Sequence, residues 1–134
     1  MIDYENQIFK MIYDAVTGYD SDIYVTKEKS VAPPSFPAVY VEQTDSYNPP
    51  EYAMISSYEE VAARVVTTVE VYSNKPSGKR QEAKSILTVV DDALRNHGFR
   101  RTMKNYLDLT DNNNTAIIRL LARYERLYTN CEGG

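Results

Sequence analysis

The sequence contains one cysteine, no tryptophan and no long apolar run. Because Cys131 is alone, an internal disulfide and a multi-cysteine zinc site are excluded, and a reducing compartment is indicated. No segment approaches the ~20 apolar residues that a membrane helix needs, so we expect no membrane association. Residues 1–5 include neither a basic region nor an apolar stretch, and we expect no signal peptide.

A surplus of positive charge is also absent. The 15 Lys and Arg residues against 19 Asp and Glu residues give a net charge of −4 and a pI near 5.0. Nucleic-acid binding needs a basic surface, so we expect no specific nucleic-acid partner. The single histidine, His97, precedes Gly98 at a predicted helix end, where the helix dipole favours a cation, and we interpret it as structural rather than as a general base.

Two acidic patterns look like functional sites but do not have the required spacing. Asp108 and the run 111–114 suggest a calcium loop, yet the glycine and the final glutamate of that loop are missing, so a polar hairpin turn is favoured. The neighbours Asp91-Asp92 and Glu59-Glu60 do not converge on one point, and we expect both pairs to be solvated. With no nucleophile–base set and no phosphate loop in the sequence, we expect no enzymatic activity, no cofactor and no metal.

The length and the hydrophobic periodicity predict a single α+β domain at residues 1–129, followed by a flexible tail at 130–134. The predicted elements are a helix from Asp3 to about Thr17 that ends at Gly18, strands at 22–26, 38–43 and 61–72, a helix capped within 74–77 that ends at His97-Gly98, and strands at 99–108 and 115–128. This order, α-β-β-β-α-β-β, predicts a mostly antiparallel sheet of four to five strands with both helices on one face.

Three apolar stripes are expected to form the core. In the strand at 61–72 the odd-numbered residues share one face, and in the last strand the even-numbered residues from Ala116 to Tyr124 are expected to lie under the helices. The stripe of the second helix consists of Ala83, Ile86, Leu87, Val90 and Leu94.

Basic residues concentrate near the end of the second helix and in the last strand: Arg95, Arg100, Arg101, Lys104, Arg119, Arg123 and Arg126. Two interpretations stay open. These residues pair with Glu70, Glu125 and Asp108 across strands, or they face an acidic partner or another copy of the chain.

The chain resembles the tail terminator and tail-to-head joining family of tailed bacteriophages. The resemblance is one of pattern, without an invariant motif, and it extends over most of the length. It rests on Phe36-Pro37-Ala38-Val39-Tyr40-Val41, the strand at 63–72, the helix at 83–94, the stop at Gly98-Phe99 and the closing strand at 117–128.

The resemblance implies a virion protein of the tail and neck that is assembled in the host cytoplasm. Members of this family form hexameric rings that cap the tail tube, end its polymerisation and face the head connector. The expected partners are therefore further copies in a hexamer, the tail tube protein and a connector or stopper protein. The long connection at about 44–59, rich in tyrosine and proline, would contact a neighbouring subunit or the tube. The interface candidates are Tyr47, Tyr52, Met54 and Tyr58, together with Arg100, Arg101, Arg119 and Arg123.

Two alternatives remain. The first is another phage neck or head-completion protein, an adaptor or a stopper. The second is a small bacterial α+β domain. It would be either an enzyme or ligand-binding domain with a pocket under the sheet, or a dimeric interaction protein that pairs through an exposed sheet edge. Such a pocket requires residues such as His97, Asp108 and Tyr124 to converge in space.

Overall fold

Two helices and six strands make up the part of the chain that the computed structural model describes, residues 4–27, 33–47, 62–102, 106–110 and 116–129. The predicted α+β class is confirmed. The predicted strand at 99–108 is instead two strands of two residues each. The elements are α1 (Tyr4–Tyr19), β1 (Tyr24–Thr26), β2 (Ala38–Tyr47), β3 (Ala62–Ser73), α2 (Lys79–Asn96), β4 (Arg100–Arg101), β5 (Leu107–Asp108) and β6 (Ile118–Thr129).

The sheet has six strands rather than the predicted four to five, and it is mixed, because one parallel pair joins the antiparallel ones. Its order is β1-β2-β3-β6-β4, and β5 pairs separately with β6. All pairs are antiparallel except β1 with β2, where Tyr24 lies opposite Ala38. This parallel pairing excludes a β-hairpin between β1 and β2. The Tyr24 amide donates a 3.0 Å hydrogen bond to the Pro37 carbonyl.

The core lies between the two helices and one face of the sheet. Val65, Val69 and Val71 of β3 are fully buried there, as are Leu120, Ala122 and Tyr124 of β6. All five residues of the predicted α2 stripe are buried, which confirms it. The prediction for Ala116 is wrong, because β6 begins only at Ile118 and Ala116 is exposed in the turn before it.

The end of α1 and the start of α2 differ from the prediction, and a glycine is involved in each case. Gly18 does not end α1, because it has no positive φ and the helix continues to Tyr19. No side chain from 74–77 caps α2. Gly78 is the N-cap instead, with the left-handed φ of 79° that glycine tolerates. Neither described helix is both long and apolar enough to cross a membrane.

The predicted end of α2 is confirmed. His97 is its C-cap, and Gly98 follows with a φ of 86°. Arg126 of β6 donates a 2.8 Å hydrogen bond from Nη1 to the His97 carbonyl, so α2 ends beside Arg126.

The three long strands extend past that point. The twelve residues of β3 span about 40 Å, whereas the 18 residues of α2 span about 27 Å. Beyond Arg126, Tyr47 of β2 pairs with Arg64 of β3, and Arg64 pairs with Leu127 of β6. We call this end of the sheet the distal ribbon: Tyr47, residues 62–64 and residues 127–129.

Candidate protein-interface site

The predicted interface residues of the long connection fall in two places. Tyr52, Met54 and Tyr58 lie outside the described residues. Tyr47 is the last residue of β2, so the prediction that the strand ends at Gln43 is wrong. Pairing with β3 continues to Tyr47 because an irregularity between Gln43 and Asp45 absorbs one residue without ending the strand.

Arg119 lies on the sheet face opposite the helices, next to a buried carboxylate. Glu70 is only 2% exposed, and its Oε1 accepts hydrogen bonds from Arg119 Nη2 at 2.7 Å and from the Tyr72 hydroxyl at 3.2 Å. The Arg119 guanidinium carbon lies 5.3 Å from the centre of the Tyr72 ring, a cation–π distance. Arg119 is therefore held against its own sheet, and charge pairing with Glu70 is the reason.

A tyrosine opposite Glu70 completes this cluster. Tyr40 of β2 lies beside Glu70 in the strand register and is 7% exposed. Burial, then the carboxylates of Glu42 and Glu70, raise the pKa of Tyr40 to about 12. The Tyr40 hydroxyl thus stays protonated at neutral pH, and the middle of this sheet face is a packed set of polar and aromatic side chains.

Another acidic residue of this face is Glu125. It accepts hydrogen bonds from Arg100 Nη2 and, at 3.3 Å, from Arg64 Nη1. Arg123 donates from Nε to the Thr68 hydroxyl at 3.3 Å. The cross-strand interpretation of the basic residues is therefore confirmed for Glu70 and Glu125. Asp108 instead pairs with Arg80 of α2 at 2.6 Å.

Arg101 lies on the helix side of the sheet and contacts Asp91. Asp91 Oδ1 accepts hydrogen bonds from the Tyr124 hydroxyl at 3.0 Å and from Arg101 Nη1 at 3.4 Å, and Oδ2 accepts one from Arg95 Nε at 2.7 Å. The prediction that Asp91 is solvated is wrong, because its side chain is only 17% exposed. Burial and the Asp91 carboxylate raise the pKa of Tyr124.

A cleft lies beside this cluster, between α2 and the edge formed by β4 and β5. It has a volume of about 250 Å³ and is lined by Lys84, Leu87, Thr88, Asp91, Arg101 and Tyr106. The Lys84 ammonium lies 5.7 Å from the centre of the Tyr106 ring. We call it the α2–β4 cleft. Lys84 is an exposed residue of α2, and the sequence pattern does not show that Arg101 and Tyr106 lie close to it. The i, i+4 spacing of Asp91 and Arg95 was the one available signal.

A second, shallower groove runs between α1 and α2. It has a volume of about 680 Å³ and an apolar floor that includes Met11, Ala15, Val89 and Ala93. Its rim includes Lys10 and Asp14, which form an ion pair at 3.3 Å.

The residues required by a catalytic pocket do not converge. His97 Nδ1 donates to the Ala93 carbonyl at 2.8 Å, a local contact within the last turn of α2. Asp108 lies opposite Leu120, about 13 Å along β6 from Tyr124. In the described part of the chain, no three His, Cys, Asp or Glu residues are grouped so that they could hold a metal ion.

Two comparisons with known proteins returned no match. No protein-family model matches the chain, and no curated protein matches it.

Proposed function

We propose that the protein is a structural virion protein whose copies form a ring on the end of a phage tail tube. The ring ends tube polymerisation and joins the tail to the head connector. The observation that supports this proposal most is the distal ribbon, because three paired strands extend past α2 and the 48–61 connection joins two of them there. A contact surface on paired strands is held more rigidly than one on a loop, which suits a fit to repeated subunits.

A closed ring of identical copies needs two different surfaces that meet head to tail. In the described part of the chain the two sheet edges differ. One edge is β1, a parallel strand of three residues, and the other consists of β4 and β5, with two residues each. Edge strands this short disfavour pairing between the sheet edges of two copies. Side chains and the distal ribbon would therefore supply the contacts that close the ring.

The four arginines named as interface candidates divide into two pairs under this proposal. Arg101 forms an ion pair with Asp91, and Arg119 forms one with Glu70. These two arginines would hold neighbouring side chains of the interface in place rather than contact the partner. Arg100 and Arg123 also bond within the chain, to Glu125 and Thr68, but the Arg100 side chain is 74% exposed and Arg123 is exposed, so these two would meet the partner directly. Tyr52, Met54 and Tyr58 of the connection are the remaining proposed contacts.

The proposed mechanism is geometric. One side of the ring binds the last subunits of the tube, and the other side offers no equivalent surface, so elongation ends. Each contact is modest, but repetition around the ring multiplies the total affinity. A neck adaptor or stopper would use a similar ring on the connector instead, and co-sedimentation with isolated tail tubes separates these two roles.

Replacing residues 48–58 by a short Gly-Ser linker tests the proposal. The described core lies outside this segment, so we expect an unchanged circular dichroism spectrum and a loss of the ring in light scattering. The control is Tyr13→Ser, which removes an exposed aromatic residue of α1. A ring that survives the replacement contradicts the proposal, and an unfolded variant shows that the connection belongs to the core.

A further inference from the structure

The α2–β4 cleft has more positive than negative charge. Lys84 and Arg101 line the cleft together with one carboxylate, Asp91, which already accepts hydrogen bonds from Arg101 and from Arg95, a residue of α2 outside the lining. Within the described residues the contact of Lys84 is the Tyr106 ring rather than a carboxylate. In a chain of net charge −4 the cleft is therefore a local positive site, and its apolar walls strengthen the potential inside it.

The size of the cleft limits what it can hold. Its volume of about 250 Å³ lies below the roughly 300–1,000 Å³ of small-molecule sites. One side chain fits, with its methylene groups against Leu87 and the Tyr106 ring and its charged end near Lys84 and Arg101. The complementary group is a carboxylate, which pairs strongly with guanidinium and ammonium groups.

The chain itself contains a segment of that chemistry. Residues 48–61 include Glu51, Glu59 and Glu60 and neither Lys nor Arg. These 14 residues join β2 to β3 at the distal ribbon, and a loop of this length extends at most about 24 Å from its ends. The segment therefore carries three carboxylates and no cation, and it begins and ends at the distal ribbon.

We infer that the α2–β4 cleft of one copy binds a glutamate of the 48–61 segment of a neighbouring copy. This inference rests on the proposed ring and adds to it the two surfaces that meet. It also explains why the cations of the cleft exceed its carboxylates within a single chain.

Charge reversal in the full-length protein tests the inference. Lys84→Glu changes an exposed side chain of the cleft, and Lys75→Glu is the matched control because Lys75 is exposed and outside the cleft. Native mass spectrometry across a dilution series should show that Lys84→Glu raises the dissociation constant of the ring about tenfold, while Lys75→Glu leaves it within about twofold. Glu59→Lys with Glu60→Lys should weaken the ring similarly, and combining them with Lys84→Glu should restore part of the affinity.

A peptide of residues 48–61 separates this inference from the proposed function. Its binding to the full-length protein, followed by fluorescence anisotropy, should weaken about fivefold in Lys84→Glu and with added salt. A ring that forms equally well in Lys84→Glu, without rescue by the swapped charges, overturns the inference and leaves the proposed ring intact. Peptide binding at the cleft in a protein that never forms a ring, even with tail tubes, contradicts the proposed function instead.

Discussion

The two faces of the sheet are both buried in places, but by different chemistry. Toward the helices, Val69 and Leu120 lie within a large cluster of buried apolar side chains. On the opposite face, Glu70 is equally hidden, and its burial depends on Arg119 and Tyr72. The apolar face owes its stability to area removed from water, whereas the polar face depends on partners at fixed register positions. The two faces should therefore respond differently to substitution.

The largest effect is expected on the helix side. Ile86 is 1% exposed within the core, so Ile86→Ala should lower the free energy of unfolding by about 3 kcal/mol through lost burial and a cavity. Urea denaturation followed by circular dichroism measures this loss. Ile86→Val is the control and should cost about 1 kcal/mol. Equal effects of the two variants would contradict a close-packed helix-side core.

A smaller effect is expected on the opposite face. Arg119→Met leaves the Glu70 carboxylate buried beside Tyr72 and should cost about 2 kcal/mol, less than for a fully buried pair because Arg119 is 31% exposed. Adding Glu70→Gln to Arg119→Met should restore part of the stability, since no buried charge then remains unpaired. Additive losses in the double variant would show that the pair is not coupled.

The tyrosines of both faces should titrate late. The pKa of Tyr40 is raised to about 12, and burial raises that of Tyr124 as well. Both groups ionise near pH 10 when unfolded, so their contribution to stability is complete below pH 10 and is lost as the pH rises above it. An alkaline titration followed by absorbance at 295 nm should show two fewer tyrosines that ionise above pH 10 in the double variant Tyr40→Phe, Tyr124→Phe than in the wild type. An unchanged alkaline titration would contradict their burial.

The smallest effect is expected at the sheet edge. Hydrogen bonds from Thr110, then the Arg80 guanidinium, lower the pKa of Asp108 to about 2. The stabilisation is present above the unfolded pKa near 3.9 and is lost as the pH falls from there toward 2. Because the Asp108 side chain is 37% exposed, Asp108→Asn should cost only about 0.5 kcal/mol at pH 7. Between pH 4 and 2, the free energy of unfolding of Asp108→Asn should fall less steeply with pH than that of the wild type. The same pH dependence in both proteins would show that the Asp108–Arg80 pair contributes nothing to stability.

The sequence predicts the helix side of the molecule better than its edges. Periodicity alone identifies the α2 stripe and the inward residues of β3, because both follow from repeats within one element. The parallel pairing of β1 with β2 and the contact of Asp91 with Tyr124 depend on how separate elements pack together, which the pattern within one element does not specify. Arg101 reaches Asp91 only because β4 pairs with β6 opposite Tyr124, a register that no local pattern specifies.

Native mass spectrometry of the purified protein over a range of concentrations, with and without isolated tail tubes, tests the central proposal most directly. Six copies of the 15.3 kDa chain give a species of about 92 kDa, and the proposed ring predicts this mass alone or when tubes are added. A stable dimer of about 31 kDa at every concentration, or a monomer that tubes leave unchanged, would contradict it.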